Sequence, residues 1–130
     1  MNEKDAKLMN PLTLAYVGDS VHDLYVRSRI VQSGKHVNTL HKEAVRHVRC
    51  EAQAGALERI EPLLTDEESA LVKRARNAHA KHGAPKAATL EAYAKSTALE
   101  ALLGYLYLTG QSERLEYILD IVTDLSPSKI

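Results

Sequence analysis

Three carboxylates sit where helix-forming sequence would carry apolar side chains. "STALEALLGYLYLTGQS" has one charge, Glu100, in the most apolar part of the chain, and "LAYVGDSVHDLYVRSRIV" holds Asp19 and Asp23. At 100° per residue, Leu14, Val17, Val21, Leu24, Tyr25 and Val31 fall on one side of that segment. Leu12, Tyr16, Val26 and Ile30 fall opposite, with Asp19 and Asp23 inside this second stripe and not on a polar face. Moving a carboxylate into apolar surroundings can raise its pKa by about 3–5, a cost of roughly 4–7 kcal/mol. Three arrangements offset such a cost. One is an ion pair or cap-like hydrogen bond; another is a neutral acid kept for proton transfer; the third is a divalent cation held between carboxylates of different helices. Gly18 lies next to Asp19 and Gly104 four residues after Glu100, thinning the packing where a metal, water or phosphate would need room. Periodicity alone does not choose among the three.

The second chemical signal is positive charge. Ser69 to Leu90 contains no acid but holds Lys73, Arg74, Arg76, His79, Lys81, His82 and Lys86, with Asn77 as a further hydrogen-bonding group. His41, Lys42, Arg46, His47 and Arg49 recur at helical spacing in a second basic group. Such charges are either solvated and favoured by a helix C-terminus, or they contact phosphates. The chain has no Phe or Trp, which argues against base stacking on single strands and favours the backbone of a duplex. The candidate phosphate-contacting residues are Lys42, Arg46, Arg49, Lys73, Arg74, Arg76, Asn77, Lys81 and Lys86.

Other chemistries find no support. There is no P-loop, dinucleotide fingerprint or HExxH motif, and His79 and His82 stand in a Gly/Pro/Lys stretch that reads as solvated. The single cysteine, Cys50, permits no intrachain disulfide and reads as a structural thiol. Lys plus Arg and Asp plus Glu are each 17 in 130 residues, so net charge does not identify a partner. With no signal-peptide core and no apolar run of membrane-spanning length, the expectation is a soluble cytoplasmic protein without a membrane partner.

The elements that must position these groups are helical. Asn10-Pro11 reads as an N-cap with proline at the first helical position, and that helix continues to about Val31 with Gly34 as its stop. Asn38 or Thr39 can cap a second helix, "TLHKEAVRHVRCEAQAGALERI", interrupted by Pro62. "TDEE" from Thr65 is a capping box opening a third helix. A break at "KHGAPKAATL" precedes a fourth helix to Leu108, stopped by Gly110, and "SERLEYILDIVTDL" makes the last. No period-2 stretch, repeat or linker is present. The reading is one all-α domain over residues 1–130, with its helical core at about 10–125. The first helix is apolar on more than one side, more than a five-helix monomer needs to bury, which predicts a homodimer with the Tyr-rich fourth helix near the contact.

At this point the sequence resembles a family. "LAYVGDSVHDLYVRSRIV" is similar to the "LEFLGDAVL" helix of ribonuclease III, and "ALEALLGYLYLTG" to that family's "LEAxxGAxYLD" helix, in the same order. "HKEAVRHVRCEAQAGAL" is weakly similar to the segment between them, so the resemblance spans about residues 10–110. The short length, "YVGD", "RARNA" and "STALEALLGYLYL" together resemble the Mini-ribonuclease III branch, the catalytic domain without the double-stranded-RNA-binding domain. The resemblance implies a ribonuclease III-type helical endonuclease domain that hydrolyses phosphodiester bonds of duplex RNA with Mg²⁺. Asp19 and Glu100 would be its catalytic, metal-binding carboxylates. It further implies a homodimer whose two sites face the two strands, and a substrate that is the precursor of 23S ribosomal RNA, trimmed near a terminal stem. Two acids of the family pattern are replaced here: Ala15 stands four residues before Asp19, and Thr97 three before Glu100. Asp23, one turn after Asp19, is placed by its spacing to assist through water. The alternatives are a catalytically inactive helical RNA-binding or ribosome-assembly module, which the missing acids favour, and a small helical protein-interaction domain.

Overall fold

The computed structural model describes residues 1–48, 50–80 and 90–123, with the side chains of 46–48, 79 and 80 outside the description. Among the described residues the α-helices are α1 Glu3–Leu8, α2 Pro11–Ile30, α3 Val37–Val48, α4 Cys50–Ile60, α5 Asp66–Ala80, α6 Leu90–Leu108 and α7 Ser112–Thr123. No strand occurs among the described residues.

Local chemistry explains most of the boundaries. Asn10 caps α2 by accepting the Leu12 N–H at 2.9 Å, with Pro11 behind it. The capping box at α5 forms in both directions: Glu68 accepts the Thr65 N–H at 2.9 Å, and Thr65 Oγ1 accepts the Glu68 N–H at 3.2 Å. Gly34 (φ 72°) and Gly110 (φ 74°) adopt the left-handed conformation after α2 and α6. One expectation is corrected here: α3 begins at Val37, with His36 Nδ1 accepting the Asn38 N–H at 3.3 Å, where Asn38 or Thr39 was expected to cap. Helix α1 was also not expected; Asn2 caps it through the Asp5 N–H at 2.8 Å.

Helix α6 is the axis of the molecule. Ser96–Leu99 and Ala101–Leu106 are all buried, and α2, α4, α5 and α7 pack around it. Leu99, Leu102, Leu103 and Leu106 are fully buried, each worth about 1.5–3 kcal/mol of removed apolar surface. This all-round burial explains why a helix with so little polar surface is stable in a small domain.

The two apolar stripes expected on α2 resolve into one buried face. Leu14, Ala15, Gly18, His22, Val26 and Ile30 face inward, in steps of three and four. Tyr16 and Leu24 are 81% and 68% exposed. Asp19 is exposed at the edge of the buried face, not enclosed within an apolar stripe.

Candidate active site

The site is set by a backbone contact between α2 and α6. A Cβ added at Gly18 would lie 1.6 Å from the carbonyl oxygen of Glu100, and one at Gly104 would lie 2.0 Å from that of Leu14. Both distances are far below any van der Waals contact, so only glycine fits at either position. The two glycines were expected to leave room for a ligand; instead, the main chain of the opposite helix fills the space. Closing this seam brings Asp19, the neighbour of Gly18, beside Glu100, near enough for its carboxyl to act on the ionisation of Glu100.

Two carboxyls beside one another cannot both be ionised without cost. Burial, then the hydrogen bond to Asp19 and its negative charge, push Glu100 up to about 8, with Gln53 pulling the other way. At neutral pH the metal-free pair therefore holds a proton.

Gln53 reaches Glu100 from α4. Its Nε2 lies 3.4 Å from Glu100 Oε2 and 2.8 Å from His22 Nδ1. Both Gln53 and His22 are buried, so three helices converge on one carboxylate.

The sequence and fold have known counterparts. The ribonuclease III domain matches residues 12–111. A "Mini-ribonuclease 3" of Symbiobacterium thermophilum is 50% identical over 115 residues, covering 88% of each chain. One from Staphylococcus aureus is 44% identical over 124 residues, 92% of each. A crystal structure of a Fusobacterium nucleatum protein superposes with a TM-score of 0.80 at 31% identity, over 91% of this chain and 94% of that one.

The chain belongs to the Mini-ribonuclease III family.

Its activity is endonucleolytic cleavage of double-stranded RNA, and the ribonuclease III family is generally dependent on a divalent metal. Against the wider ribonuclease III pattern, the replaced acids are structural here: Ala15 and Thr97 are both 7% exposed and belong to the packing of α2 and α6. No group of three or more His, Cys, Asp or Glu that could hold a metal occurs among the described residues. Among the described residues the seam thus sets two carboxylates together, those of Asp19 and Glu100.

Asp23 pairs with Arg27, 3.1 Å distant. The expected RNA-contacting residues divide. Lys73, Arg76 and Asn77 line one depression of about 410 Å³ together with Ser69, Val72 and Glu61, whose carboxylate lies 4.0 Å from the Arg76 guanidinium. Arg74 points elsewhere, its guanidinium 3.4 Å from the Met9 carbonyl. Lys42 is exposed on α3. The side chain of Arg46, together with Arg49, Lys81 and Lys86, lies outside the described residues.

Sequence reasoning passed over Gln53 and His22. A signal for each existed. Gln53 keeps helical register with the buried Leu57 and Ile60, and His22 lies one turn after Gly18, so each is a polar side chain at a core position.

Proposed function

We propose that Asp19 and Glu100 are the catalytic carboxylates and that together they hold Mg²⁺ for cleavage of duplex RNA. The observation that carries this reading is the glycine seam, which packs α2 at Gly18 against the main chain of Glu100 and so sets the Asp19 and Glu100 carboxyls beside one another. Both carboxylates are hard oxygen donors on helices that cannot separate without breaking the core. When bound, the cation would supply Lewis acidity toward the scissile phosphate and a water acidic enough to act as nucleophile near neutral pH. Glu100 gives up the proton it holds in the metal-free pair, so binding releases a proton and is weaker in acid. Lys73, Arg76 and Asn77 contribute phosphate contacts from α5 that position the duplex without reading its sequence.

The working unit in this reading is a homodimer. Tyr16, Val17, Val21, Leu24 and Tyr107 line a shallow depression of about 350 Å³ that also includes Asp19. This is the apolar excess foreseen on the first helix, and a second copy seated there would cover it and bring the two sites near one another. The substrate proposed is the terminal stem of 23S ribosomal RNA precursor, on family grounds alone. Purified protein incubated with a stem-forming RNA, with and without Mg²⁺, tests the reading. Metal-dependent cleavage by wild type, lost in Glu100→Gln with duplex binding retained, is expected. Cleavage of equal rate in the Glu100→Gln variant would overturn the assignment, and binding without cleavage by wild type would favour an inactive RNA-binding module.

A further inference from the structure

We propose that Gln53 is the positioning residue of this site. Its amide, held by the buried His22 ring, keeps the Glu100 carboxylate turned so that it and Asp19 present oxygens to one cation. The inference rests on the carboxylate reading above and adds to it the means by which two ligands suffice.

An amide nitrogen carries two hydrogens and no acceptor. Both hydrogens of Gln53 are used, one toward His22 Nδ1 at 2.8 Å and one toward Glu100 Oε2 at 3.4 Å. Since the amide nitrogen only donates, His22 accepts at Nδ1, which fixes the ring as its Nε2–H tautomer. The opposite amide orientation would need the Nδ1–H tautomer and would turn the Gln53 carbonyl oxygen toward the Glu100 carboxylate. Gln53 is 2% exposed and His22 1%, so solvent offers neither group a substitute partner. The chain from His22 through Gln53 to Glu100 therefore carries direction as well as contact, and it ends on the one ligand that burial disfavours in its charged form. Gln53 donates to that charged form and opposes the effect of burial. With Ala15 and Thr97 at the other family positions, no further acid is present there to fix the orientation of the pair.

The role differs from that of a core amide, and the difference can be measured. In the full chain, Gln53→Met keeps length and volume but donates nothing. Its half-saturating Mg²⁺ for cleavage should rise about tenfold or more, as partners of metal ligands commonly count for 10–100-fold. KM for RNA should stay unchanged, and kcat should largely recover at high Mg²⁺. Mn²⁺ binding to the RNA-free protein, followed by electron paramagnetic resonance, should weaken by the same factor. Glu100→Gln runs alongside. If Glu100→Gln has lost Mn²⁺ binding while Gln53→Met keeps wild-type Mn²⁺ affinity and Mg²⁺ midpoint, the positioning role is wrong and the carboxylate reading stands. If Glu100→Gln still binds Mn²⁺ like wild type, the carboxylate reading fails and this inference with it. Should Gln53→Met not fold, His22→Asn, which keeps an acceptor near Nδ1, is compared with His22→Leu, which does not. A near-normal Mg²⁺ midpoint for His22→Asn and a raised one for His22→Leu are expected; equal midpoints would overturn the proposal.

Discussion

In metal-free protein, Glu100→Gln should remove a pH dependence of stability that wild type shows between about pH 4.5 and 8. Glu100 has an ordinary value of 4.5 when unfolded and about 8 when folded. Between those limits the folded chain keeps a proton that the unfolded chain releases, so raising the pH favours unfolding. The favourable contribution is complete below 4.5, falls by 1.36 kcal/mol per pH unit above it, and is gone once the pH passes 8. The total is on the order of 5 kcal/mol, of which roughly 3 kcal/mol is already lost at pH 7. Glutamine cannot titrate, keeps the size of the side chain and relieves the repulsion with Asp19. The variant should therefore be more stable than wild type at pH 8, with the gap closing toward pH 4.5. Urea unfolding in EDTA at half-unit pH steps measures this, with the slope against denaturant checked for constancy. Adding Mg²⁺ should reverse the order, stabilising wild type more as pH rises and leaving the variant unmoved. Parallel stability curves for the two proteins, with or without Mg²⁺, would refute the account of Glu100 as a carboxyl kept protonated by burial and by Asp19.

Asp19→Asn should fold and bind duplex RNA but cleave it at a small fraction of the wild-type rate, measured by single-turnover assay with circular dichroism as the folding control. Replacing Lys73 and Arg76 with alanine should weaken duplex binding and lower its salt dependence by about one slope unit per lost phosphate contact; Tm should change little, since exposed charges contribute about 0–1 kcal/mol. Tyr16→Asp combined with Leu24→Asp should shift the protein toward monomer in sedimentation velocity, with helical content preserved.

Much of the site was legible because its signals are local. A charge inside an apolar run marked Glu100 and Asp19, and side chains that hydrogen-bond two or three residues away marked the starts of α2 and α5. What escaped was non-local. Gln53 acquires its role only when α4 docks beside α6, and nothing in "CEAQAGAL" says which carboxylate it will meet. The faces of α2 were misread for a related reason. Tyr16 and Leu24 are apolar but point outward, while Gly18 and His22 hold buried positions that hydropathy assigns to neither stripe. Asp23 and Arg27, four residues apart, form an ion pair, a local partner that helical spacing offers.

The glycine seam has a genetic consequence. Gly18 faces the main chain at Glu100 and Gly104 the main chain at Leu14, so a methyl at either position must open the same gap between α2 and α6. Alanine at one of them should cost about 1–3 kcal/mol or more, as overpacking against rigid backbone does. Once the helices have parted, the second methyl enters space already opened, and the double variant should lose well under the sum of the two single losses. Positions 18 and 104, far apart in the gene, would then behave as a single locus. Substitutions that spoil the carboxylate geometry there should lower stability as well, so drift at either glycine would be exposed by folding before it was exposed by catalysis.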